Sequence, residues 1–265
     1  MNATIAPWLR FSRAYFRTCF AIMLEYRATV YLWIFAGVTP LIMMFVWRHL
    51  AAAEPVGGHD PKSFSFYFLL AFFSTQCCTV WVVWNVDHLI RSGTYAIQLL
   101  RPFDPWLAEV VENLAAYALR VPLNLTIVGT GLLLTGAWDL IEPARLPVYL
   151  LALVLAWQLM FNMNYAISLL CLWSERVKSA DVWVYTMLYT LGGALFPLDL
   201  LSPGLRAAIA WLPFPWMVNF PVQLLAGDAP PFPGLAMQAA WLAIVVVAHR
   251  ILWRIGRKRF GAVGG

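Results

Sequence analysis

Charges are few along this chain, and the apolar stretches between them are long. No charged residue falls in 28–47, between Arg27 and Arg48, or in 63–86, between Lys62 and Asp87. The stretches 146–174 and 182–198 are also free of charge, and 234–253 is apolar up to its last turn. A helix crosses the hydrocarbon core with about 20 mostly apolar residues, rising about 1.5 Å per residue. These five stretches therefore predict membrane spans. A further one, 112–135, is third in chain order and less clean, because Arg120 sits in its first turns.

Residues 207–227 are also apolar and long, but they contain Pro213, Pro215 and Pro221. An internal proline removes a helix hydrogen bond and clashes with the preceding turn. Lipid tolerates open backbone only under protein cover. The reading is therefore a re-entrant segment, 199–233, of broken helices dipping into the outer face before the last span. Near the start, Trp8, Phe11, Tyr15, Cys19 and Ile22 recur at helical spacing while Arg10, Arg13 and Arg17 fall on another side. That pattern predicts an amphipathic interfacial helix within residues 1–26; a basic flank serving topology alone is the other reading. Residues 87–108 form a connection longer than two spans need. Its apolar positions predict a short helix over 94–100, ended by Pro102 and Pro105. Such a helix is either a docking knob for a partner or a helix end fraying into the interface.

Composition fixes the class. Of 265 residues, 62% are apolar and 12% charged, with a mean hydropathy of +0.72, against about 25% charged in a soluble domain. A soluble enzyme and a disordered chain are both excluded. The net charge of +5 reflects topology rather than nucleic-acid binding. With six spans and both termini cytoplasmic, 13 of the 18 Lys and Arg face inward and four (Arg48, Lys62, Arg145, Arg206) face outward, as the positive-inside rule requires. Seven spans would place one basic end outside. The expected fold is all-α and integral to the membrane: six transmembrane helices in one domain, 1–265, with no internal repeat. The first 27 residues hold Arg10, Arg13, Arg17 and Arg27 and no apolar h-region, so no cleavable signal peptide is expected.

Candidate chemistry is sparse. Cys19, Cys77, Cys78 and Cys171 form no CxxC pair, and the four histidines are scattered, so no metal site is expected. HExxH, GxSxG and GxxxxGK[ST] are absent, leaving no catalytic residue to nominate. Glu109, Glu112 and Arg120 are the intramembrane charge candidates. The alternative makes the two acids favourable helix-start residues and leaves Arg120 to snorkel or to pair with a neighbouring helix. Among 14 Trp, those at Trp8, Trp33, Trp47, Trp106, Trp138, Trp211 and Trp216 suit an interfacial belt. Trp81, Trp84, Trp183, Tyr185 and Tyr189 suit either packing or a substrate path whose ring faces favour a flat or cationic apolar molecule.

Three stretches carry a resemblance. Arg91-Ser92-Gly93 with Leu99-Leu100-Arg101-Pro102 is similar to the first cytoplasmic loop of ABC-2-type transporter permeases. The outer run Phe196-Pro197-Leu198-Asp199-Leu200-Leu201, Leu212-Pro213-Phe214-Pro215 and Phe220-Pro221-Val222-Gln223-Leu224-Leu225-Ala226-Gly227 resembles the re-entrant region of the branch known only as ABC-2 family transporter proteins. The amphipathic start resembles that superfamily's connecting helix. The resemblance implies a permease subunit of a bacterial exporter in the inner membrane, paired with a second permease as homodimer or heterodimer and with two copies of a cytoplasmic ABC ATPase. ATP and Mg would then sit on that partner, since this chain has no Walker motif, and no cofactor is expected here. It also implies a coupling helix, assigning ATPase docking to Arg91, Gly93, Thr94, Gln98, Leu99, Leu100 and Arg101. The expected cargo is hydrophobic or amphiphilic, with a drug-like or aromatic cation favoured. Export of a lipid or glycan precursor is the alternative, as is a partner-free membrane enzyme or carrier.

Overall fold

A computed structural model describes residues 5–101, 103–174 and 177–258, with the side chains of 5–9, 27, 29 and 30 left aside. Pro102, Arg176 and Arg259 from the sequence reading lie outside the described residues, as does the side chain of Trp8. The described residues form helices and connecting loops, with no β-strand among them. It runs α1 (Ile5–Glu25), α2 (Arg27–Ala36), α3 (Thr39–Ala51), α4 (Pro61–Cys78), α5 (Val82–Arg91), α6 (Tyr95–Leu99) and α7 (Pro105–Thr135). It continues with α8 (Leu146–Ser168), α9 (Val177–Leu191), α10 (Pro203–Ile209), α11 (Phe214–Met217), α12 (Asn219–Ala226) and α13 (Pro231–Gly256).

Five helical stretches among the described residues are long and apolar enough to cross a membrane: Tyr31–Ala51, Pro61–Arg91, Pro105–Thr135, Pro143–Leu172 and Pro231–Gly256. The expected fifth span, 182–198, corresponds to α9, which ends at Leu191. Its 15 residues rise about 22 Å, less than the roughly 30 Å hydrocarbon core. Gly192 and Gly193 then turn the chain, with φ of 95° at Gly193, into the outer segment. The third span begins earlier than the sequence reading placed it. Pro105 opens α7 and the Asp104 carboxylate caps it, accepting from Trp106 N–H at 2.9 Å.

α4 is the axis of the bundle. Every residue from 64 to 76 is buried, and the polar Ser65, Ser74, Thr75 and Gln76 among them find protein cover rather than lipid. α3, α7, α8 and α12 supply it, and α8 in turn packs along α13. Asp60 caps α4 by accepting from the backbone and hydroxyl of Ser63. The outer segment breaks as its prolines predict, into α10, α11 and α12, and its backbone is covered. Tyr67 donates to Gly193 O and Asn219 Oδ1, Gln238 to Trp216 O, and Arg145 to Ala229 O.

α1 is two-sided along its middle turns, but Ile22, expected on the apolar side, is exposed. Arg10, Arg13 and Arg17 are exposed, while Cys19 is buried and Phe11 stacks on Phe103. Its apolar face packs against α7. Burial and the neighbouring Glu112 push the Tyr15 hydroxyl well above its ordinary range, keeping it a donor toward Glu112.

Candidate functional site: a lateral cleft beside a broken helix

The second expected span is not one helix. α4 stops at Cys78, Thr79 is extended at ψ 111°, and α5 resumes at Val82. No glycine or proline marks the interruption. It persists because side chains from two other helices take over its backbone. The Arg120 guanidinium in α7, 1% exposed, donates to Thr79 O at 3.1 Å, to Gln76 O at 3.0 Å and to Gln76 Oε1 at 3.3 Å. A cation there also suits the negative end of the α4 dipole. Tyr117 donates to Cys77 O. The Tyr185 hydroxyl accepts from Val80 N–H at 2.8 Å and donates to Val80 O at 2.7 Å. Gln76 passes the network on, donating to Ile34 O at 3.1 Å, where α2 ends.

Arg120 therefore does not snorkel; it pairs with a neighbouring helix, capping the end of α4 through its carbonyls. Glu109 and Glu112 lie elsewhere in α7, past its first turn, so they are not helix-start acids either. Asn85 Nδ2 joins them, donating to both oxygens of Glu109 at 2.9 and 3.0 Å and to Glu112 at 3.1 Å. A cavity of about 50 Å³ lies among Asn85, Glu109, Glu112 and Arg120, so the three candidates are neighbours without forming an ion pair.

Beside the break opens a lateral cleft of about 540 Å³. Trp33 and Ala36 from α2, Thr79 and Trp81 from the break, Trp84 from α5, and Asp181, Tyr185 and Tyr189 from α9 line it. Four of the five expected path aromatics thus meet on one surface. Trp183 does not: it is 64% exposed on another side of α9, because helical geometry turns position 183 away from 181 and 185. Trp33, expected in the interfacial belt, stacks on Trp81 at 5.1 Å.

α9 is fastened to α5 by a ladder. Lys178 Nζ pairs with Asp87 Oδ2 at 2.8 Å, Trp84 Nε1 donates to Asp181 Oδ2 at 2.9 Å, and Tyr185 holds Val80. Positions rise along α9 as they fall along α5, so the two helices run antiparallel with about one rung per turn. The sequence reading missed Asp87, Lys178, Asp181, Asn85 and Tyr117. The signal available was the three- and four-residue spacing of Lys178, Asp181 and Tyr185 on one face of an apolar helix.

Past Arg91 the chain turns through Gly93, at φ 73°, into α6. This short helix has two faces. Tyr95 and Gln98 are buried and Leu99 packs against the core, whereas Ile97 is 55% and Leu100 86% exposed. Arg101 is exposed and lies over the Phe103 ring, Thr94 meets Ser92 at 2.6 Å, and Arg91 pairs with Asp87 at 2.8 Å. Of the residues assigned to docking, Gln98 and Leu99 root the helix, and Leu100 and Arg101 face away.

The sequence model of the ABC-2 family transporter proteins matches residues 32–264. The chain belongs to that family. No curated protein matches it. As an ABC-2 permease, it is a multi-pass membrane component of a transporter, and family membership implies an ABC ATPase as partner. The cleft, the break and α6 all fall inside the matched residues.

Proposed function

We propose that this ABC-2 protein is the permease subunit of a bacterial exporter, moving a hydrophobic or amphiphilic substrate across the inner membrane. A drug-like or aromatic cation is the favoured cargo, and a separate ATPase drives transport. One observation carries the reading. The aromatic cleft and α6 are joined through α5, so a push on α6 reaches the cleft wall within a single helix. Non-helical backbone at membrane depth persists where it borders a cavity, and the break at Thr79–Trp81 does so. α6 turns Ile97, Leu100 and Arg101 outward at an end whose basic loops favour the cytoplasm, a surface suited to an ATPase groove. In this reading the protein works as a dimer of permeases with two ATPase copies, and α9 completes a sixth span with the outer segment as its re-entrant cover.

Co-purification in mild detergent tests the partnership: a stoichiometric ATP-hydrolysing chain is expected, and its absence in nanodiscs as well would refute the exporter reading. Leu100→Asp with Arg101→Asp should then leave the permease folded and sever ATP hydrolysis from transport. Undiminished transport by that double variant would remove α6 from the docking surface.

A further inference from the structure

The ladder that fastens α9 to α5 has one rung with capacity to spare. Asp87 has both carboxylate oxygens engaged, Oδ1 by Arg91 and Oδ2 by Lys178. Tyr185 both donates and accepts through its hydroxyl. Asp181, between them, is 3% exposed and accepts from Trp84 through Oδ2 alone, leaving Oδ1 without a hydrogen-bond partner. No cation among the described residues forms an ion pair with it. Lys178, one turn away, is committed to Asp87 and lies 4.7 Å from the Trp84 ring centroid.

A carboxylate at this depth is costly unless a positive charge faces it. The open volume beside it is the 540 Å³ cleft, where the rings of Trp33, Trp81, Trp84 and Tyr189 gather. Ring faces attract cations, more strongly when water is excluded, and a carboxylate in a low-dielectric wall acts over several ångströms. We propose that Asp181 reads charge in this cleft, selecting organic cations with a bulky apolar body while Trp81 and Trp84 supply the ring surface. The inference rests on the cleft being the substrate path and deepens it by naming the residue that decides which amphiphiles stay.

The test uses two ions of one shape and opposite charge, tetraphenylphosphonium and tetraphenylborate. Each is titrated into the full chain, with its co-purifying ATPase, in lipid nanodiscs, and saturable quenching of tryptophan fluorescence is followed. Phosphonium should bind saturably and borate should not. Asp181→Asn keeps an acceptor for Trp84 and so should fold, yet weaken phosphonium binding by about tenfold or more; Asp181→Glu should restore it to within about threefold. Unchanged phosphonium affinity in Asp181→Asn, or equal borate binding by the unaltered chain, overturns the proposal. Thr190→Cys, on the cleft wall, separates this failure from that of the path itself. If borate or uncharged triphenylmethanol shields the cysteine from maleimide as well as phosphonium does, the path stands and the charge reading falls. If none of the three shields it, both fall.

Discussion

Two of the chain's helix interruptions, one in the outer segment and one at Thr79–Trp81, have opposite origins. In the outer segment, Pro203, Pro213, Pro215 and Pro221 stand at or near the ends of α10, α11 and α12, and each removes a helix hydrogen bond and clashes with the turn before it, so that together they oppose one continuous helix. At Thr79–Trp81 nothing local forbids a helix. There the break is imposed from outside, by Arg120 and Tyr117 reaching from α7 and Tyr185 from α9. A break written into the backbone needs cover but no specific partner. A break held by side chains can be undone by changing one of them, and this one borders the cleft.

The sharpest way to break that contrast is Arg120→Met, which keeps length and removes every donor. Thr79 O loses its main partner and Gln76 Oε1 its guanidinium, and a buried unpaired acceptor costs about 1–3 kcal/mol. A loss of about 3 kcal/mol in detergent thermal unfolding is expected, with α4 and α5 drawn toward continuity and cleft binding lost. Binding and stability both unchanged would mean that the break does not depend on the cap.

Gly193→Ala attacks the outer side, where φ is 95° and an added Cβ would sit 2.4 Å from the Tyr67 hydroxyl. Strain and displacement of Tyr67 together should cost about 2 kcal/mol, read as a lowered midpoint with cleft binding retained. Tyr185→Phe removes one hydroxyl that serves both Val80 N–H and O and should cost about 1 kcal/mol. Because it loosens the same break as Arg120→Met, the two losses should not add; strict additivity would separate their roles.

The smallest effect concerns His59 and Asp199, 2.5 Å apart where the loop before α4 meets the outer segment. The hydrogen bond to Asp199 raises the His59 pKa above 6.5. Burial alone would raise that of Asp199, but His59 outweighs it and holds the carboxyl below 3.8. The histidine's contribution is complete below its unfolded value and fades as pH rises through its folded one; the aspartate's is present above its unfolded value and fades as pH falls through its folded one. Stability from this pair should therefore be full between about pH 4 and pH 6.5 and decline above. His59→Gln should flatten that decline in a melting series, while cleft binding stays level across it.

Much of this was legible in residue order. The apolar stretches located most of the long helices, and the loop after Arg91 contained the short helix, found at Tyr95–Leu99; the start of α7 at Pro105 was missed, because that proline was read only as the end of the short helix. Trp81, Trp84, Tyr185 and Tyr189 were singled out and do share a wall. Trp183 failed because aromatic type was weighed without helical phase. Arg120 drew notice as a buried charge, but its true partners are backbone carbonyls, which no list of residue types displays.

Sequence alone determined that this chain lives in lipid, where most of its long helices run and where prolines oppose a continuous outer helix, because hydrophobic length and proline geometry act within a few residues. Tertiary structure decided where α4 gives way, which charges are satisfied and by whom, and which aromatics face one another across the cleft. Those outcomes depend on groups about 40 and 105 positions apart, Arg120 with Thr79 and Tyr185 with Val80. Only packing brings them close enough for a hydrogen bond to outweigh the helix it replaces.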